Sequence, residues 1–435
     1  MRKEFCKYIF PAMGSFLLSG IYSIVDGIFV GNAVGDDGLA AINLAWPLVA
    51  LIISLGTGIG IGGSVIISLN KGADKHETAE KAEGTTIFFL IFSSLILIAI
   101  LFFAGGPLLT LLGAKGVLHE YALIYINYLL IGAVFQVCAC GLLPLIRNKG
   151  ATIFAMVSMA CGCITNIILD WIFVITLDMG MKGAALATVA GQIFTIILCI
   201  LFYLKPENRI KLSYLIPDFK IIKSIIRVGI SPFGLTYLPS VTIIFMNLQT
   251  LKYGGNAAVS AYAVLAYILS FMELMIQGIS DGSQPLLSLC QGAGKKKELA
   301  IYKRWMYILA IGTGGISGII TFLLRNHIPF LFGASESSSQ IIVDATPAFA
   351  LVLFLYGISK AMISYFYATD KTTASAVMVY GEVLITVGLI YLLPLWFSLD
   401  GVWYTMPVVQ LILICIGLIF TRIVERQHTK EPKTC

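Results

Sequence analysis

Long apolar runs dominate this chain. They are separated by short polar segments, and they number twelve: about 8–32, 38–70, 84–112, 118–146, 151–177, 181–204, 222–252, 257–290, 299–324, 340–367, 372–397 and 401–422. Each approaches or exceeds the roughly 20 residues that a helix needs to cross a bilayer. The short alternating segments of a membrane β-barrel are absent from this pattern. The chain therefore reads as an all-α polytopic membrane protein. Runs two and eight are long enough to tilt or to extend past the bilayer. Pro11, Pro47, Pro144, Pro232, Pro239, Pro285 and Pro407 fall in or near the runs and predict kinks.

The pattern is written twice, at an offset of about 220 residues. Ser68-Leu69-Asn70-Lys71-Gly72-Ala73 recurs as Ser288-Leu289-Cys290-Gln291-Gly292-Ala293, and Leu111-Leu112-Gly113-Ala114 as Leu331-Phe332-Gly333-Ala334. Leu39-Ala40-Ala41 matches Val259-Ser260-Ala261. The charged, proline-bearing linker at about 205–221 joins the copies, giving lobes over 1–213 and 214–435. Six spans per copy is an even number, so both copies insert the same way up. That predicts two pseudo-symmetric six-helix bundles, related by an axis along the membrane normal, with a central cavity between them.

Composition agrees: 58% of the residues are hydrophobic and 12% charged, with mean hydropathy +0.92. A soluble domain carries about twice that charge. The net charge of +6 comes from short connecting segments and does not indicate nucleic acid. With the N-terminus placed inside, the inner segments hold 24 Lys and Arg, and the outer loops hold four: Lys115, Lys182, Lys252 and Arg325. This asymmetry predicts a multi-pass plasma-membrane protein with both termini cytoplasmic. The first run contains Asp26 and lacks a small-residue cleavage site, so it reads as a span and not as a signal peptide. Cys138-x-Cys140 and Cys161-x-Cys163 lack metal-type spacing and read as packing residues. No nucleophile or metal constellation suggests an enzyme, and no cofactor is expected.

The two copies differ in where they place polar residues. Asp26 and Asp170 sit where the second copy has Met246 and about Tyr391. A carboxylate in mid-membrane costs roughly 2.5–3.5 kcal/mol on insertion scales, and it marks a functional site by default. Asp26 lies six residues before the outer end of its run, Asp170 lies seven before, and Thr188 lies seven inside the start of its own. At 1.5 Å per residue all three stand roughly 10 Å below one boundary. Asn166 is one turn from Asp170 on the same face. Carboxylate, amide and hydroxyl oxygens suit an alkali or alkaline-earth cation, and two facing carboxylates also suit a shared proton.

Asp281, Lys360 and Glu382 share a second level, nearer the inner side of spans eight, ten and eleven, and read as a buried ion cluster. Glu273 is two turns from Asp281, without an evident partner, and suits a cationic substrate. Gln136, Asn247 and Gln284 read as helix–helix hydrogen bonds or substrate contacts. Met156, Met159, Met246, Met272, Met275 and Met362 are candidates to line an adaptable cavity. Gly56-Thr57-Gly58-Ile59-Gly60-Ile61-Gly62-Gly63 is no phosphate loop and reads as close helix packing.

At these residues the chain resembles the MATE (multidrug and toxic compound extrusion) family over nearly its whole length. The resemblance rests on Pro11 with Val25-Asp26-Gly27-Ile28-Phe29-Val30-Gly31, and on Arg147-Asn148-Lys149-Gly150. It extends through Asn166-Ile167-Ile168-Leu169-Asp170 and Gly183-Ala184-Ala185-Leu186-Ala187-Thr188. Gln284-Pro285, Gly292-Ala293, Gly401-Val402-Trp403 and Pro407 follow in the second copy. It implies an antiporter that exports cationic amphiphilic organic compounds or drugs against Na⁺ or H⁺, by alternating access, and reads as a monomer in membrane lipid. It also implies that Asp26, Asn166, Asp170 and Thr188 are the cation ligands. One branch of the family carries coupling acids in spans seven and ten. Here span seven has none, span ten has Lys360, and Asp344 is too near the outer end. Two rival readings are a lipid-linked saccharide flippase of related architecture, which would line its cavity with several basic residues, and a channel or membrane-embedded enzyme.

Overall fold

A computed structural model describes residues 1–430, all of them in helices and short connections. The helices are α1 (Arg2–Val34), α2 (Asp36–Gly72), α3 (His76–Leu111), α4 (Val117–Asn148), α5 (Thr152–Asp170) and α6 (Gly180–Leu204) in the first copy. The second copy holds α7 (Phe219–Gly292), α8 (Lys296–Leu323), the short α9 (Ile328–Leu331), α10 (Glu336–Ala368), α11 (Thr372–Leu392) and α12 (Pro394–Lys430).

Eleven helices among the described residues are long and apolar enough to cross a membrane. One of them, α7, is broken at Gly255 by a left-handed φ of 66°, so its legs at 219–254 and 256–292 supply two crossings. Spans seven and eight are these legs, and spans nine to twelve are α8, α10, α11 and α12. Long apolar side chains stay on the outside, among them Phe103 at 78% exposed and Phe330 at 87%. Such a surface suits lipid tails and not water.

The backbone repeats as the sequence does. Left-handed φ values occur in pairs 220 residues apart: Gly35 with Gly255, Asp74 with Gly294, Gly113 with Gly333, Gly150 with Asp370 and Asp178 with Ser398. These are the turns at which each copy reverses direction. At Asp178 and Ser398 φ is 49° in both, so a costly backbone state recurs without glycine. The break at Ser398 falls at the boundary expected between runs 372–397 and 401–422, but the first of those runs is not one helix. The helix α11 stops at Leu392, and α12 runs from Pro394 across the break at Ser398.

The chain forms two compact units: Met1–Ser240 with Asp281–Leu299, and Val241–Ser280 with the residues from Ala300 on. In the first unit the glycine run of α2 acts as expected. A Cβ at Gly60 would land on the Gly141 backbone of α4, and one at Gly56 on the Val137 carbonyl. Gly58 and Gly62 face the first leg of α7, at Phe233 and at Ile225 and Gly229. Residues four apart share one helix face, so one run packs two neighbours backbone to backbone. In the second unit Tyr262, Phe349 and Trp403 form the aromatic centre of a core that also holds Met246, Met272 and Met406.

Candidate functional site

The first unit brings Asp26 and Asp170 together. Their carboxyl groups approach each other closely from α1 and α5, and Asn166 adjoins Asp170. Asp170 is fully buried and Asn166 is 3% exposed. Asn166 gets its position from a tight crossing. A Cβ at Gly191 of α6 would meet the Gly162 carbonyl at 2.7 Å and the Asn166 Cβ at 3.1 Å. Asp170 is the last α-helical residue before a π-helical turn over Trp171–Thr176. Such turns widen the helix and recur at functional sites.

Five polar atoms of this trio are buried without any hydrogen-bond partner in the protein: Asp26 Oδ1, Asn166 Oδ1 and Nδ2, and both Asp170 oxygens. Buried polar atoms are almost always paired. Four of these five are oxygens converging from two helices, and they fit a small hard cation or a proton as the absent partner. Thr188 of α6 faces the hydroxyl of Tyr125 on α4, and Tyr125 stands within electrostatic reach of both carboxylates. Tyr22, one turn before Asp26, does likewise. Sequence reading missed both tyrosines. The spacing of Tyr22 from Asp26 was a usable signal, but Tyr125 had none.

The second level is assembled differently from expectation. Lys360 pairs with Glu382 at 2.8 Å, and Gln410 donates to Glu382 at 2.8 Å while accepting from Ser359 at 2.6 Å. Asp281 has a partner of its own. It belongs to the first unit, where its Oδ2 lies 3.7 Å from Arg147 Nη1. Counting along the helices had placed Asp281 on the level of Lys360 and Glu382 and had not offered Arg147 as its neighbour, because equal depth fixes a level and not a direction around the bundle. Glu273 is also not isolated. The Tyr356 hydroxyl faces it, and Lys360 lies within electrostatic reach. The Lys360 ammonium in turn stands 4.9 Å from the Tyr356 ring centre. Nor is Lys360 the sole buried base, since Arg147 is only 4% exposed.

Two of the weaker candidates, Gln136 and Gln284, make side-chain hydrogen bonds. Gln136 donates to the Cys140 sulfur at 3.4 Å. Gln284 accepts from Ser64 at 2.7 Å and donates to Ser288 at 3.0 Å. Asn247 is half-buried on the first leg of α7. Met246, Met272 and Met362 are buried core residues.

Comparison with known proteins agrees with this architecture. The MatE family model matches residues 11–172 and 234–392, which together make up most of the chain. The multidrug export protein MepA of Staphylococcus saprophyticus is 26% identical over 434 residues, covering 99% of this chain and 95% of that protein. MepA of Staphylococcus aureus is 25% identical over 411 residues, covering 94% of this chain and 90% of that protein. Among solved structures, a MATE protein in complex with MaL6 superposes with TM-score 0.92 at 24% identity, covering 98% of this chain and 97% of that one. A MOP superfamily transporter from Pyrococcus furiosus superposes with TM-score 0.90 at 24% identity, covering 97% and 95%. Duplicated six-span copies and a buried acidic pair in the first of them thus come with a family match in each copy, and the chain belongs to the MATE family of membrane transporters.

Proposed function

We propose that this transporter is a cation-coupled exporter of cationic amphiphilic organic compounds, working by alternating access across the plasma membrane with both termini cytoplasmic. The observation that carries the coupling is the set of unpartnered buried oxygens on Asp26, Asn166 and Asp170. Two carboxylates this close repel each other unless a proton or a cation lies between them. In the state open to the outside, Asp26 and Asp170 take up Na⁺ or H⁺, with Asn166 supplying a further oxygen and Thr188 a hydroxyl through the Tyr125 side. Charge repulsion then falls, and α1, α5 and α6 draw together. Substrate loses affinity or gains a path outward, and it leaves. To shift the population usefully, the cation has to favour one state by several kcal/mol. The multidrug names of the MepA relatives support the substrate class. Glu273, which the Tyr356 hydroxyl faces, is the carboxylate of the second copy that best suits a cationic substrate.

Dye efflux from proteoliposomes, under separately imposed Na⁺ and proton gradients, tests the proposal. Asp26→Asn and Asp170→Asn each abolish gradient-driven efflux while the protein stays folded in the membrane. The gradient that drives the wild type identifies the coupling ion. Near-normal efflux in both variants sinks the assignment.

A further inference from the structure

The first unit contains a contact built twice about one axis. A Cβ at Gly72 would strike the Leu289 carbonyl, and one at Gly292 would strike the Leu69 carbonyl. Both members of the second pairing are those of the first exchanged at an offset of 220. The same exchange relates two further crossings. Gly62 meets Ile225 and Gly229 on the first leg of α7, while Gly282 on the second leg meets Tyr8, Ile9 and Ala12 of α1. At the centre, Ser64 donates to Gln284 at 2.7 Å, and these residues also stand 220 apart. Helices so close that no methyl group fits between them leave no path for water.

One pair departs from this symmetry. Arg147 of α4 and Asp281 of the second leg of α7 are 4% and 6% exposed, with 3.7 Å between Nη1 and Oδ2. Their counterparts at the repeat offset are Tyr367 and Ile61, both uncharged and buried, so the charge occurs once. The guanidinium lies 5.7 Å from the Phe16 ring centre, and its Nε and Nη1 make no hydrogen bond. A buried ion pair adds little net stability, because desolvation offsets attraction. Removing one partner is costly, and letting both reach water together is not. A contact closed by such a pair therefore stays matched when shut and opens at small net cost.

We infer that Arg147 and Asp281, seated in the Ser64–Gln284 and Gly72–Gly292 crossings, form the latch of the terminus-bearing end, which is closed here and parts when that end opens to admit substrate. This rests on the alternating-access reading above. The test reads thiol accessibility and not efflux, so it can fail while that reading stands.

Cys290 provides the reporter, because it lies nine residues beyond Asp281 on the same leg and is 4% exposed. Cys199, on α6 and fully buried, reports unfolding. The full chain in nanodiscs is treated with a maleimide, and each cysteine peptide is quantified by mass spectrometry. In Asp281→Asn, which leaves Arg147 an unmatched buried charge, and in Arg147→Gln, which takes the guanidinium away from Asp281, Cys290 reacts about tenfold faster than in the wild type. Cys199 stays protected in both. The exchanged pair Arg147→Asp with Asp281→Arg brings Cys290 back toward the wild-type rate. Where a charge variant exposes Cys199, Ser64→Ala and Gln284→Leu are read in its place, and each gives a smaller rise at Cys290. Wild-type Cys290 rates in every variant that keeps Cys199 protected overturn the latch. So does an exchanged pair that keeps Cys199 protected and reacts as fast as the single variants.

Discussion

At the scale of single residues, the second copy keeps a buried lysine tolerable by pairing it. Lys360 and Glu382 are 12% and 13% exposed and 2.8 Å apart, and Gln410 adds a second donor to Glu382. Lys360→Met leaves Glu382 buried with an amide alone. Breaking such a pair costs about 3–5 kcal/mol, whereas replacing both members is close to neutral. Lys360→Met should therefore lower the detergent-solubilised melting temperature by several degrees, and Lys360→Met with Glu382→Leu should recover most of it. Recovery by Glu382→Leu is the decisive result, since a lysine needed only for its stem would not be rescued. The same physics decides what was legible beforehand. Helical rise fixes depth, so Asp26, Asn166 and Asp170 could be placed on one level from counting alone. Counting does not fix direction around the bundle, and so Asp281 was assigned to Lys360 when it lies beside Arg147. Arg147 itself was counted among loop charges because it ends an apolar run, yet it is buried.

At the scale of helices, packing is set by where a side chain is missing. On α2, a Cβ at Gly60 would meet Cα, C and O of Gly141, which are backbone atoms with no rotamer to yield. On α1, a Cβ at Gly27 would meet nothing within 4 Å. Gly60→Ala should then destabilise the α2–α4 contact by about 1–3 kcal/mol, the usual cost of overpacking. Gly27→Ala should be neutral or slightly stabilising, as helix propensity favours alanine. Thermal unfolding of the two variants in one detergent checks the contrast, and equal melting temperatures would refute it. Apolar runs bounded by charge gave nearly every helix, including the two legs of α7, because the bilayer demands long uninterrupted spans. The end of α11 at Leu392 stayed hidden, since Leu393-Pro394-Leu395-Trp396-Phe397 continues the apolar run. The π turn after Asp170 was equally silent, for a widened helix has no compositional mark.

At the scale of the whole molecule, the duplication makes a demand that a single copy would not. Matched left-handed turns at Asp74 and Gly294, and at Gly113 and Gly333, have to face the same side of the membrane if the copies are parallel. The distribution of Lys and Arg assigns the first pair to the cytoplasm and the second to the outside. Cysteines placed at exposed Lys75 and Lys296 sample the first pair of turns, and cysteines at exposed Lys115 and Asn326 sample the opposite side. In a chain whose Cys6, Cys415 and Cys435 are serine, an impermeant maleimide applied to intact cells should label 115 and 326. It should reach 75 and 296 only after permeabilisation. The reverse pattern would invert the assigned orientation while leaving the parallel repeat intact. Labelling that divided 75 from 296 would break the repeat itself. It would also remove the basis for reading the exchanged crossings at Gly72 and Gly292 as one contact made twice.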